Sequence, residues 1–342
     1  MSTRAFITGV SGTELTAIER EFIRAERPWG FILFKRNIES PTQVVSLIEE
    51  LRDAVGAPEA PVLIDQEGGR VQRLGPPHWP VYPAGAVFGK LYDSDSSLGL
   101  KAAQLSSRLI AADLADLGIT VDCLPLADVP VAGADAVIGN RAYGTEPAKV
   151  AAIARAVADG LERGGVLPIL KHIPGHGRAT ADTHFRLPTV DTAKDELVRT
   201  DFAAFMPLAD LPMAMTAHVV FSAIDPVHPA TTSATMVEQV IRGAIGFQGL
   251  LMSDDVSMNA LAGTIAERTQ AIIAAGCDMV LHCNGNIEEM RAVAGQTPEL
   301  SGRALERAKR ALATRKAPQP FDRAAARAEL DALIAQANTA SA

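Results

Sequence analysis

Short, almost wholly apolar runs recur along this chain, separated by longer Ala- and Leu-rich stretches with a 3.6-residue repeat. The runs are Phe31–Phe34, Val62–Ile64, Thr120–Leu124, Pro168–Leu170, Met213–Thr216, Leu250–Met252 and Met279–Leu281. The helical repeat occupies Thr42–Leu51, Gly99–Leu117, Pro147–Glu162, Ala193–Ala204, Ala234–Ala244 and Glu267–Ala275. A strand with no polar alternation has to be covered on both faces, as in a parallel sheet with helices packed outside it. Strand–helix alternation of this kind predicts an α/β fold.

A closed barrel and an open doubly wound sheet both satisfy the alternation, and the polar residues choose between them. Nearly every run ends in one: Lys35 to Asn37, Asp65, Asp122, Lys171 and His172, Thr216 and His218, Ser253 and Asp254, His282. Polar groups at the C-terminal ends of many strands are the layout of a barrel, whereas an open sheet gathers them at one switch point beside a glycine-rich phosphate loop. No GxGxxG follows a strand and no GxxxxGK[ST] occurs. The expected fold is a single (β/α)8 TIM-type barrel over residues 1–300. Residues 301–342 are expected as helices, Arg303–Lys316 and Asp322–Asn338, packed on the barrel within the same domain. The basic cluster Arg307, Lys309, Arg310, Arg315 and Lys316 reads as a solvated face.

Composition removes several function classes. With 48% apolar and 21% charged residues the chain has material for a large core, and it lacks the bias of a disordered protein. A net charge of −8 with no long basic block argues against nucleic acid as a partner. No apolar run nears the roughly 18 residues that span a bilayer, so no membrane partner is expected. The opening MSTRAFITGVSGTEL has too short an apolar patch for a secretory signal, which leads us to expect a cytoplasmic protein. Cys123, Cys277 and Cys283 match no zinc spacing and are expected as buried, reduced thiols.

The chemistry concentrates in three places. His172, His176 and His184 fall within KHIPGHGRATADTHFRLP, where Pro174, Gly175 and Gly177 forbid regular structure and predict a long loop leaving a strand end. Gly175 and Gly177 are read as hinges on which residues 174–184 swing. Asp182 and His184 lie two apart. On extended backbone they point to one side, so the carboxylate can hold one imidazole nitrogen and leave the other free for proton transfer. In GLLMSDDVSM, Asp254 and Asp255 follow an apolar run. Asp254 is expected to face the site as a nucleophile or ligand, with Asp255 as a helix cap or support. In LIDQEGGRVQRL, Asp65 ends a strand ahead of a Gly68–Gly69 turn, Arg70 and Arg73. Carboxylate beside guanidinium suits a hydroxyl-rich ligand or a structural ion pair, and Arg141 in VIGNRAYG shares both readings.

KHIPGHGRATADTH, with DQEGGRVQRL before it and GLLMSDDVSM after it, resembles glycoside hydrolase family 3. The resemblance is closest to its single-barrel β-N-acetylglucosaminidase branch, which serves bacterial peptidoglycan recycling. It runs from about Gly30 to Asn284 and includes VIGNRAYG and MTAHVVFSAIDPVHPATTS. It implies that Asp254 is the nucleophile, that Asp182 and His184 form the general acid/base dyad, and that Lys171, His172, Asp65, Arg73 and Arg141 bind the sugar. For His176 it implies a loop-shaping role only. Ile173 stands where the family often has Phe, and His282 where an apolar residue is expected. The implied activity is a retaining exo-β-N-acetylglucosaminidase that removes terminal β-linked GlcNAc from (anhydro)muropeptide fragments, with no metal and no other cofactor. Larger members draw their acid/base from a second domain. The helical residues after this barrel leave no such domain, so the group must come from the barrel, where the DTH loop is the candidate.

Three other readings use the same residues. A metal-dependent barrel hydrolase would recruit His172, His176, His184 and Asp254, but Pro174–Gly175 breaks the helical spacing of the first two. A phosphorylase would let phosphate replace water in the second step. A catalytically silent sugar-binding protein would need neither Asp254 nor the dyad.

Overall fold

The structure, a computed structural model, describes residues 2–183 and 185–339. Eight parallel strands close into a barrel: β1 (Arg4–Thr8), β2 (Pro28–Leu33), β3 (Val62–Ile64), β4 (Val121–Asp122), β5 (Leu167–Ile173), β6 (Met213–Thr216), β7 (Leu250–Asp255) and β8 (Met279–His282). Each pairs with its neighbours in chain order, and β8 returns to β1, with Val280 opposite Phe6. All seven predicted runs lie on barrel strands. The first strand was not among them. RAFIT is a five-residue apolar patch, too short to show a period by itself.

Alternate residues of each strand serve two cores. Ile7, Ile32, Leu63, Val121, Ile169, Met213, Met252 and Leu281 fill the barrel interior. Phe6, Phe31, Leu33, Val62, Leu170, Leu251 and Val280 face outward onto helix faces such as Leu47, Leu51, Ile110, Leu114, Val157 and Leu161. Both faces are dry, which is why the runs show no alternation in sequence. Local signals set the helix ends. Thr16 and Glu19 form a capping box ahead of Ala17–Glu26, and Ser40 caps Pro41–Val55, which ends at Gly56 in the left-handed conformation. The stretch predicted as one helix over Ala193–Ala204 is broken at Thr200 into Lys194–Arg199 and Asp201–Phe205. Thr200 Oγ1 accepts from Arg178 at 3.1 Å and donates to Asp201 at 2.8 Å, a tertiary contact that overrides the local repeat.

The C-terminal residues close one end and one flank. In the helix Gly302–Ala313, Ala308 and Ala311 join the interior cluster together with Leu300. The basic cluster is not simply solvated. Arg307 pairs with the buried Asp278 at 2.9 Å, Arg310 donates to the Gln248 carbonyl, and Arg315 Nε donates to the Gly165 carbonyl at 2.9 Å. The helix Arg323–Thr339 seats Leu330 and Leu333 in the outer core, and Arg323 forks onto Asp116. All three cysteines are buried and free. Among the described residues no helix is long and apolar enough to cross a membrane.

Candidate active site

At the C-terminal ends of the strands a cavity of about 160 Å³ is lined by Asp65, Arg73, Arg141, Lys171, His172 and Asp254, with Phe34, Val137, Ile138 and Met258 among its apolar walls. One wall is a ladder of alternating charges. Arg73 donates to Asp65 Oδ2 at 2.9 Å, and Lys171 Nζ reaches Asp65 Oδ1 at 2.9 Å and Glu67 Oε1 at 2.6 Å. Arg141 then grips Glu67 through Nε at 2.9 Å and Nη2 at 2.7 Å. Lys171 and Glu67 are almost wholly enclosed, with side-chain exposures of 2% and 5%. Burial alone would neutralise these groups, but each carboxylate lies between cations. Against that desolvation, Lys171 and Arg73 hold Asp65 well below the usual carboxylate range, and Lys171 and Arg141 lower Glu67. The same contacts hold Lys171 and Arg141 above their ordinary values against desolvation. The pairs are structural, yet four of their five members also face the cavity, so the ion-pair and ligand-binding readings of Asp65, Arg73 and Arg141 coexist. Arg70 is different: it donates to the carbonyls of Ala136, Val137 and Ile138 and staples the loop that carries Arg141.

The end of β5 makes a second cluster. Asp128, fully buried, accepts from His172 Nδ1 at 2.7 Å and from the His172 and His176 amides at 3.3 and 2.7 Å. Burial works against its charge, but His172 outweighs it and brings Asp128 down to about 2. His176 is pushed down to about 4 by burial and by its His172 neighbour, so it is neutral at physiological pH. Its Nε2 lies 3.4 Å from Thr183 Oγ1, and its buried Nδ1 has no partner among the described residues.

Asp254 closes the cavity from β7. Burial favours its protonated form, but the His218 and His172 rings, the Asp255 amide at 2.8 Å and Lys171 hold it below the ordinary aspartate value. It is a carboxylate at neutral pH, as a nucleophile must be. Asp255 does not cap the following helix, which starts at Ile265 behind Thr264. Its oxygens accept from Ser257 N and Oγ and from the Cys283 amide at 3.1 Å, tying β7 to the end of β8. His218 spans Thr231 Oγ1 at 2.7 Å and the Asp255 carbonyl at 3.0 Å. His282, buried, sits 3.5 Å from Thr8 Oγ1 and 3.2 Å from Glu289, so it is a satisfied core residue and not a cavity wall.

The long loop departs from expectation at Gly177. This residue is not free to act as a hinge: a Cβ there would stand 2.1 Å from the Val129 carbonyl oxygen. Its own carbonyl accepts from Val131 and that of Ala179 from Asp135, while Arg178 binds Asp201 at 2.7 Å, so residues 175–179 are pinned. Gly175, at φ 139°, is a glycine for conformational reasons. Further on, the Asp182 carbonyl accepts from the Phe185 and Arg186 amides. Asp182 is half-buried beside Thr183, which lines the cavity. His184 lies outside the described residues.

Glu67 and Asp128 were missed from sequence. Glu67 was visible inside DQEGG, but nothing local told its partners. Asp128 follows the apolar run LPLA just beyond β4, the same signal that marked Asp65. Among the described residues, no group of three or more His, Cys, Asp or Glu is placed to hold a metal ion.

Comparison with known proteins agrees with this layout. Residues 9–313 match the glycosyl hydrolase family 3 N terminal domain. The chain is 37% identical over 279 residues to the beta-hexosaminidase of Bordetella avium, covering 80% of this chain and 79% of that one. It is 37% identical over 297 residues to the beta-hexosaminidase of Xanthomonas campestris pv. campestris, covering 85% and 88%. NagZ of Neisseria gonorrhoeae in complex with zinc ion superposes with a TM-score of 0.86 at 30% identity, over 98% of this chain and 99% of that one. The same protein in complex with N-trifluoroacetyl-D-glucosamine gives 0.82 at 32% identity, over 98% of each chain.

Proposed function

The chain belongs to glycosyl hydrolase family 3 and is a glycoside hydrolase, and from that premise we propose a retaining exo-β-N-acetylglucosaminidase acting on terminal β-linked GlcNAc. The observation that carries the proposal is a half-buried, ionised Asp254 lining one small cavity together with a charge-alternating wall. Asp65 retains lone pairs beyond those its cations use, and Lys171 and Arg73 retain donors. Together they offer acceptor and donor to vicinal sugar hydroxyls, each bond charge-assisted. A cavity of about 160 Å³ walled on that side suits the terminal residue of a chain.

In the proposed cycle Asp254 attacks C1 while His184, held by Asp182, gives its proton to the departing glycosidic oxygen. The neutral His184 then takes a proton from water, whose oxygen attacks C1 and releases Asp254, so two inversions retain the β configuration. We place the natural substrate among (anhydro)muropeptide fragments and the enzyme in the cytoplasm, a compartment consistent with three reduced thiols. Residues 301–342 are taken as part of the barrel's own domain, since Arg307 and Leu330 anchor into it.

The test is hydrolysis of an aryl N-acetyl-β-glucosaminide and of a GlcNAc-anhydromuramyl fragment, followed by NMR of the first product, with and without phosphate and EDTA. β-GlcNAc should appear first, at rates unaffected by either addition. α-GlcNAc refutes retention, a sugar phosphate identifies a phosphorylase, and loss with EDTA identifies a metal-dependent hydrolase.

A further inference from the structure

Besides the proposed Asp182–His184 pair, the site holds a second Asp–His pair, fully enclosed. His172 turns Nδ1 to Asp128 at 2.7 Å, and its ring lines the same cavity as Asp254. Among the described residues Nε2 makes no hydrogen bond, so it is the ring's polar atom left for a ligand. The two Asp128 oxygens are not equivalent. Oδ1 is taken by two amide donors, from His172 and His176, while Oδ2 faces Nδ1. The charged neighbours of the pair are Arg141, which senses Asp128, and Lys171 and Asp254 near His172; the His176 ring lies tilted by 59° at 5.6 Å between ring centroids and is neutral.

We propose that Asp128 is a positioning residue that keeps the proton of neutral His172 on Nδ1, so that Nε2 enters the cavity as a hydrogen-bond acceptor for a hydroxyl of the terminal sugar. The argument is one of valence. A neutral imidazole has one N–H, and a carboxylate can only accept, so the proton lies where Asp128 accepts it. Nε2 then has a lone pair directed into the cavity. This complements the wall of Arg73, Lys171 and Arg141, which offers mainly donors. A sugar hydroxyl both donates and accepts, and His172 takes the donated half.

The consequence is specific to Asp128→Asn. The amide oxygen must occupy the Oδ1 place, because an NH2 there would oppose two N–H donors. The NH2 group then occupies the Oδ2 place and donates to Nδ1, forcing the proton to Nε2. The cavity atom changes from acceptor to donor with hardly any change in shape. The experiment is nitrogen-15 NMR of the histidine side chains as a function of pH, with His172→Gln used to assign the ring and the proton position read from the neutral form. Wild type should show Nδ1–H and Asp128→Asn should show Nε2–H. The variant should lose about 10- to 100-fold in kcat/KM, equally for good and poor leaving groups, since a sugar contact and not proton transfer is altered. Placed in the His172→Gln background, the same change should cost less than about 2-fold, because Asp128 acts through His172. Nε2–H in wild type overturns the inference, and that reading does not need Asp128→Asn to fold. So does an equal loss in both backgrounds, which identifies Asp128 as a packing residue only. The substrate arm rests on the proposed glycosidase activity, whereas the NMR arm stands without it.

Discussion

Replacing Glu67 by Gln tests the charge ladder at its most enclosed point. The carboxylate accepts two bonds from Arg141 and one from Lys171, with side-chain exposures of 12% for Arg141 and 2% for Lys171. Glutamine keeps the shape and one acceptor oxygen but removes the charge, leaving three cations around Asp65 alone. Stripping a buried ion of its partner costs about 3–5 kcal/mol. Lys171 keeps Asp65 and Arg141 keeps the Val137 carbonyl at 3.1 Å, so the expected loss at pH 7 is about 2–4 kcal/mol. The pH dependence follows from the direction of the shift. Glu67 has a folded value below its ordinary one, so its contribution is fully present above the unfolded glutamate pKa of about 4.3 and fades as pH falls through the depressed folded value. Urea unfolding of both proteins, followed by circular dichroism, should show a constant gap from pH 7 to pH 5 that narrows below about pH 4. KM for an aryl glycoside should rise as well, since Arg141 and Lys171 lose their common anchor. A gap under about 0.5 kcal/mol at pH 7, or one that persists undiminished into acid, would refute the claim that buried charge pairing holds this wall.

Asp254→Ala should fold normally and lose several orders of magnitude in turnover, and a mechanism-based fluoro-sugar should label Asp254 in the wild type. Label on Asp255, whose oxygens are engaged by Ser257 and Cys283, would refute the assignment. His184→Ala should cripple glycosides with poor leaving groups far more than activated aryl glycosides, whose departure needs little acid; equal loss on both would exclude general acid catalysis by His184. Gly177→Ala forces a methyl against the Val129 carbonyl and should lower stability by about 1–3 kcal/mol. An unaltered melting curve for that variant would restore the view of Gly177 as a free hinge.

The barrel was legible because its cause is local and repeated. Strands covered on both faces must be apolar throughout, and each ends where backbone meets solvent and polar residues become tolerable, so Asp65, Lys171, His172 and Asp254 were marked by position alone. The first strand escaped because one five-residue run carries no period. Motif resemblance added the expected role of each residue, while the Asp182–His184 pair was already marked by its spacing. What the sequence left open was partnership. Whether Asp65 and Arg141 are ion-paired or ligand-facing depends on Lys171, 106 positions away from Asp65. The orientation of His172 depends on Asp128, 44 positions earlier. The packing of Gly177 depends on a carbonyl of a different loop. Spacing along a chain specifies which side chains share a strand or a turn. Closing eight strands into a ring is what brings charges from different strands within 3 Å of one another, and at that distance among largely buried groups their mutual field, not the residue type, sets which are ionised and which way each proton points.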